Sequence, residues 1–271
     1  MENPLAFLRR RDRVTVLRLD GVIGVGPRFG GAAMTDAGLA PLVEAAFRRG
    51  RPKAVALAIN SPGGSPAQSS LIAARIRRLA DERKVPVHAF VEDVAASGGY
   101  WLATAADRIH LDPNSIVGSI GVISASFGFH DFLARHGVER RVYTAGEDKS
   151  LLDPFRPERP EDVERLKRLQ AIIHANFIAQ VKARRGARLN GGDELFSGDI
   201  WVGQAGIDAG LADEIGHLAP TMKQLYGDKI RFSIIAPRRP LFRRLGLPGV
   251  GEALDAVEAR ALWSRYGLPA R

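Results

Sequence analysis

The chain has no cysteine among its 271 residues. That excludes disulfides and thiolate chemistry, and it fits a reducing compartment. Lysine is scarce, with seven lysines against 32 arginines. No apolar run approaches the roughly 18–20 residues of a membrane span. The N-terminal order is also wrong for a secretory signal. Pro4 to Leu8 is apolar and Arg9, Arg10 and Arg11 follow it, whereas a signal places its charges first. There is no solenoid-type repeat and no GxxxxGK[ST] phosphate loop. These absences lead to the expectation of a cytoplasmic protein without an N-terminal membrane anchor.

What is present is ordinary in bulk. Hydrophobic residues make up 45% and charged residues 25%, as in a soluble globular protein able to bury a substantial core. The net charge is +9 and the pI about 10.3. The basic residues are spread out and not interleaved with aromatics, so they indicate a solvated surface and no nucleic-acid partner. The tail from Pro237 to Arg271 differs. It holds seven arginines against Glu252, Asp255 and Glu258, a net of 7 − 3 = +4. Gly249 to Tyr266 reads as one helix. This tail offers a subunit contact or a peripheral contact with the inner face of an anionic membrane.

The pattern along the chain is strand, loop, helix, repeated. Arg13 to Leu19 alternates as a strand, and Thr35 to Arg49 reads as a helix. Ala54 to Ile59 is a short apolar run, expected as a buried strand. Pro66 to Glu82 reads as a helix and Val85 to Val91 as the next strand. A third helix is expected from Ser97 to about Ala106. Short strand-like pieces follow: RIHL, IVGSIGVISA and Val138 to Tyr143. Glu161 to Arg185 is the longest helix, started by Pro160 and stopped by Gly186. Val163, Leu166, Leu169, Ile173, Phe177 and Val181 form its apolar stripe, read as a core or subunit-contact face. The order implies an α/β fold with mainly parallel strands.

Two glycine-rich loops carry the chemistry. AASGGYW (95–101) sets Ser97 at the end of an apolar strand and at a helix mouth, where N–H groups are unpaired and the dipole is positive. A serine there is commonly a helix cap. NSPGG (60–64) also follows a strand and precedes a helix. Two such loops on neighbouring parallel strands bring the N–H groups of Gly64 and Gly98 towards one carbonyl oxygen, the arrangement of an oxyanion hole. A serine nucleophile needs a base. None of the six histidines falls in a loop that points at Ser97, and His88 sits on a strand with a core pattern. Arginine does not give up its proton, so lysine is the alternative. Lys149 stands apart from the others. It follows YTAG (143–146) and precedes Leu151-Leu152 and Pro154-Phe155. A lysine acts as base only where burial disfavours its ammonium form; a surface loop lysine remains the other reading.

The chain resembles the signal peptide peptidase A family of Ser-Lys serine proteases. NSPGG (60–64), AASGGYW (95–101), GSIGVI (118–123), YTAGEDKSLLDPFRP (143–157) and WVGQAGIDAGLADEIG (201–216) occur in that family's order. The resemblance implies a Clp/crotonase-like ββα superhelix over 1–236, with a basic extension over 237–271. It implies Ser97 as nucleophile and Lys149, 149 − 97 = 52 residues later, as general base. It implies Ser119 as the serine that orients the lysine amine, and Gly64 and Gly98 as the oxyanion positions. It also implies peptide substrates, no cofactor or metal, and assembly into a ring- or dome-like homo-oligomer. Two rival enzymes are a Ser-His-Asp Clp-type protease and an acyl-CoA enzyme with the same cradle. The first needs a histidine about 25 residues after the serine, where this chain has Val122. The third rival is a non-catalytic scaffold of the same fold.

Overall fold

Parallel strand pairing organises the structure, a computed structural model that describes residues 12–24, 34–146, 149–236 and 260–268. The strands are β1 (Arg13–Asp20), β2 (Ala54–Ser61), β3 (Val87–Ala96), β4 (Arg108–Leu111), β5 (Ile116–Gly118), β6 (Ile200–Val202), β7 (Glu214–Ile215) and β8 (Arg231–Ile235). Their order in the sheet is β6-β5-β3-β2-β1-β8, with β4 on β3 and β7 on β4. Among the described residues, only the β5–β6 pairing is antiparallel. The helices are α1 (Asp36–Arg48), α2 (Pro66–Arg83), α3 (Gly98–Ala103), α4 (His130–Arg135), α5 (Pro160–Arg185), α6 (Gln204–Asp208) and α7 (Leu218–Tyr226). This mixed α/β architecture with a mostly parallel sheet is the Clp/crotonase-like fold expected from the sequence.

Local chemistry accounts for the elements that position the site. All eight residues of β2 are buried, as a strand covered on both faces requires. Thr35 caps α1 by accepting the Gly38 N–H at 3.2 Å. Ser65 caps α2, and Pro66 sets its first turn. β3 runs five residues past its expected end because it has two successive partners. Its first half pairs with β4 and its second half with β5.

Two expected strands do not form as read. Val138 to Tyr143 has irregular backbone, and all but Val142 is exposed; no strand among the described residues supplies a ladder. Only Ile116–Gly118 of the IVGSIGVISA run is extended in the sheet. Ser119, at φ +50°, then turns the chain away. The stripe on α5 is buried at Phe177 and Val181, whereas Leu169 is 47% exposed.

The described residues within 1–120 and 178–271 form one compact unit, and those within 121–177 the other. Of the basic extension expected over 237–271, only 260–268 lies within the described residues.

His88 is a core residue, as its strand pattern predicts. Its Nδ1 lies 3.2 Å from His110 Nε2, and its Nε2 lies 3.1 Å from the Tyr226 hydroxyl. His110 stacks on Phe90 with ring centroids 4.4 Å apart. The Glu214 carboxylate comes within 3.3 Å of His110 Nδ1 but is not aligned for a hydrogen bond. Burial depresses both histidines. His110 falls to about 4, with the nearby His88 and Arg108 adding to the effect, and His88 also lies below its usual value. Depressed values mean that the unfolded chain takes up protons first as pH falls. The stability that neutral His110 contributes is therefore present above about pH 6.5 and is lost as pH drops towards about 4, and the lowered His88 acts in the same direction. For His110 the loss is up to about 1.4 kcal/mol per pH unit. A Tm series from pH 7 to about pH 4.5 should fall steadily, and His110→Gln should flatten the slope.

Candidate active site

The two glycine-rich loops meet, as their positions after neighbouring strands predict. The β2–β3 register shifts between Ile59 and Ser61, and Asn60 fills the irregularity. Its Oδ1 accepts the Val94 N–H at 3.2 Å, and its Nδ2 donates to Asp93 Oδ2 at 2.9 Å. Ser61 Oγ donates to the Gly21 carbonyl at 2.7 Å and accepts the Gly63 N–H at 3.2 Å. Asn60 and Ser61 are thus the clamps of the NSPGG loop. In the sequence alone they read only as part of a glycine turn.

Glycine is required here by closeness. A Cβ on Gly63 would stand 2.8 Å from Ser97 Cβ and 2.9 Å from Gly98 N. A Cβ on Gly98 would stand 3.4 Å from Gly64 N and would collide with Ser69 Oγ. The N–H groups of Gly64 and Gly98 are therefore neighbours. Both are also available. Ile23 N–H donates to Gly63 O at 2.8 Å, and Ser65 N–H donates to Ile23 O at 2.9 Å. Gly64 lies between these two bonds, so its own N–H faces the other side of the chain. Gly98 opens α3, where N–H groups have no acceptor within the helix.

A substitution tests this cradle. Gly64 has φ +142°, and a Cβ there would strike the Ile23 carbonyl. Gly64→Ala should displace the N–H and lower kcat on the order of 100-fold, the scale of one lost oxyanion donor. Steady-state peptide hydrolysis measures it.

Ser97 occupies the N-cap position of α3 but makes no capping hydrogen bond. Its hydroxyl has no hydrogen-bond partner among the described residues, and the residue is half-buried. Its N–H donates to Gly118 O at 2.9 Å, which ties the turn to β5. Its backbone, φ +52° and ψ −122°, is a conformation that L side chains rarely adopt. The chain repeats this strand–turn–helix unit between β6 and α6. There the residue in the same conformation, φ +48° and ψ −116°, is Gly203. A serine held where the repeat uses glycine, with a hydroxyl that caps nothing, is a candidate nucleophile.

Ser119 follows Gly118, the ladder partner of Ala96, so it lies beside the Ser97 turn. Its N–H donates to Asp199 O at 2.6 Å. Gly64, Gly98, Ser97 and Ser119 are thus gathered within one unit. Lys149 belongs to the other unit. It sits in a turn, with its N–H 3.4 Å from Gly146 O, and it is exposed. No group of three or more metal-ligating side chains occurs among the described residues, and none of their helices is long and apolar enough to cross a membrane.

The parallel α/β sheet is that of the Clp/crotonase-like fold, and it sets a strained serine beside two neighbouring glycine N–H groups. Residues 80–229 match the model of peptidase family S49, and the chain belongs to that family. Its fold is similar to that of a membrane-bound stomatin-specific protease solved with a substrate peptide. The TM-score is 0.50 at 13% identity, over 92% of this chain and 98% of that one. Among curated proteins it is 47% identical to the Na(+)/H(+) antiporter NhaA of Brucella melitensis, over 98% of this chain and 38% of that protein. It is 30% identical to the chloroplastic serine protease SPPA of Arabidopsis thaliana, over 77% of this chain and 31% of that protein. It is 31% identical to protease 4 of Haemophilus influenzae, over 76% and 33%. The chain thus spans 31–38% of the length of these relatives.

Proposed function

We propose that the protein is a serine endopeptidase that cleaves apolar peptides, signal-peptide remnants among them, through a Ser97–Lys149 dyad. The observation that carries this reading is the free Ser97 hydroxyl beside the paired N–H groups of Gly64 and Gly98. Neutral Lys149 takes the Ser97 proton as Oγ attacks the peptide carbonyl. The two glycine N–H groups hold the oxyanion as it forms. The lysine returns the proton to the leaving amine, and water activated by the same lysine hydrolyses the acyl-enzyme. Ser119 orients the amine.

Assembly with further copies of the chain belongs to the same reading. Nine of the fifteen large apolar side chains exposed among the described residues fall within 121–177, including Phe127 at 78% and Tyr143 at 90%. Such a concentration favours burial against a partner. A neighbouring copy would also remove water from Lys149. The acyl-CoA reading is weaker, because it leaves the strained serine without a task.

The test is a fluorophosphonate reagent followed by peptide mapping. One adduct per chain, on Ser97, is expected. An unmodified Ser97 under conditions of active peptide cleavage would rule the nucleophile out.

A further inference from the structure

Residues 260–264 form a helical turn with a defined stop. Leu268 N–H donates to Trp263 O at 3.3 Å, and Gly267 N–H donates to Ser264 O at 3.1 Å. Gly267 has φ +68°. These bonds around a left-handed glycine make a Schellman cap, in which the residue after the glycine packs on the one five positions earlier. Here that apolar pair is Leu268 and Trp263. Together with Tyr266 they pack among Val94, Ala96 and Ile116, and Trp263 is 2% exposed.

The seat of this cap is specific. Val94 and Ala96 share one face of β3, which leads directly into Ser97. Ile116 is the ladder partner of Val94 on β5, which leads into Ser119. The cap therefore rests on the two strands that present the nucleophile and its neighbouring serine. Tyr266, half-buried at the end of the turn, brings its hydroxyl to 3.4 Å from Ser119 Oγ.

We propose that Tyr266 is a positioning residue for the catalytic reaction, acting through Ser119, and that the Trp263–Leu268 cap holds it there. This rests on the Ser97–Lys149 reading. A serine hydroxyl has one proton and two acceptor lone pairs, and it rotates to suit its partners. The Tyr266 O–H occupies one lone pair. The other is left for an N–H of the lysine amine, whose own lone pair is then turned to the Ser97 proton. Hydrogen bonds of this kind are often long in the unliganded enzyme and tighten on substrate binding. The ring supplies apolar anchorage and the hydroxyl the polar contact.

The rate of Ser97 phosphonylation, followed by intact mass, tests this, because it reads nucleophile activation apart from peptide preference. Tyr266→Phe keeps the ring, so its Tm should stay within about 2 °C of wild type. It should label about five- to tenfold more slowly, the scale of one hydrogen bond. Ser119→Ala should slow labelling at least as much. The double variant should match Ser119→Ala alone, since Tyr266 acts only through that oxygen. Trp263→Ala, which unseats the cap, should slow labelling at least as much as Tyr266→Phe. A Tyr266→Phe rate equal to wild type overturns the proposal. So does independent, multiplicative slowing in the double variant, or faster labelling in Trp263→Ala, which would make the cap an obstruction. Absence of label from wild-type Ser97 instead defeats the dyad reading, and this proposal with it.

Discussion

Ser97→Ala should abolish turnover, lowering kcat by about 10⁴-fold or more, the scale seen when a hydrolase loses its nucleophile. The fold should not notice. The Ser97 side chain caps nothing, since α3 has no side-chain cap bond. Its hydroxyl is also without a partner among the described residues. A structural serine would behave otherwise, because loss of a helix cap typically removes about 1 kcal/mol. The companion variant Ser97→Gly makes the contrast sharper. At φ +52° the serine is strained, and Gly203 shows that the repeat accommodates glycine in nearly the same conformation. Relief of strain of order 1–3 kcal/mol, less the entropy of the added glycine, should raise Tm by about 2 °C. Inactive but more stable is the signature of a residue kept for function. Kinetics and thermal denaturation of the two variants measure both halves. A loss of stability without a loss of turnover would return Ser97 to the role of a cap.

Lys149→Ala should lower kcat by about 10³-fold, within the range that a general base contributes, with KM little changed. Lys149→Arg discriminates between roles. Arginine preserves positive charge and reach but does not release its proton. If Lys149 is the base, the arginine variant should be as inactive as the alanine variant. If the lysine only attracts an anionic group, arginine should restore most of the activity. The exposure of Lys149 in the single chain adds a dependence on assembly. Turnover per chain should rise with protein concentration across the range where copies associate, because association removes water from the amine.

The sequence made the core of this site legible because its determinants are local. NSPGG and AASGGYW each announce a strand end, a tight turn and a helix start, and neighbouring parallel strands must then set the turns side by side. β2 was readable because a strand buried on both faces is continuously apolar. The segment from Val138 to Tyr143 is not a strand because alternation predicts one only where a ladder partner exists, and none is present among the described residues. For Lys149 the sequence left burial and exposure both open. Apolar neighbours such as Phe155 and Tyr143 remain exposed, so apolar sequence around a lysine does not by itself make a dry pocket. Tyr266 was beyond reach. Its contact spans 147 residues, and WSRYGL at 263–268 signals a helix stop without saying what that stop rests on.

The central claim is that one oxygen, Ser97 Oγ, attacks while Gly64 and Gly98 receive the charge and Lys149 takes the proton. A crystal structure of the assembled protein with a peptide aldehyde tests all three at once. A hemiacetal bond to Ser97 Oγ is expected, with its oxygen within about 3 Å of both glycine nitrogens. Lys149 Nζ should lie within about 2.6–3.2 Å of Ser97 Oγ. An adduct whose oxygen points away from Gly64 and Gly98, or a different group in the place of Lys149, would contradict it.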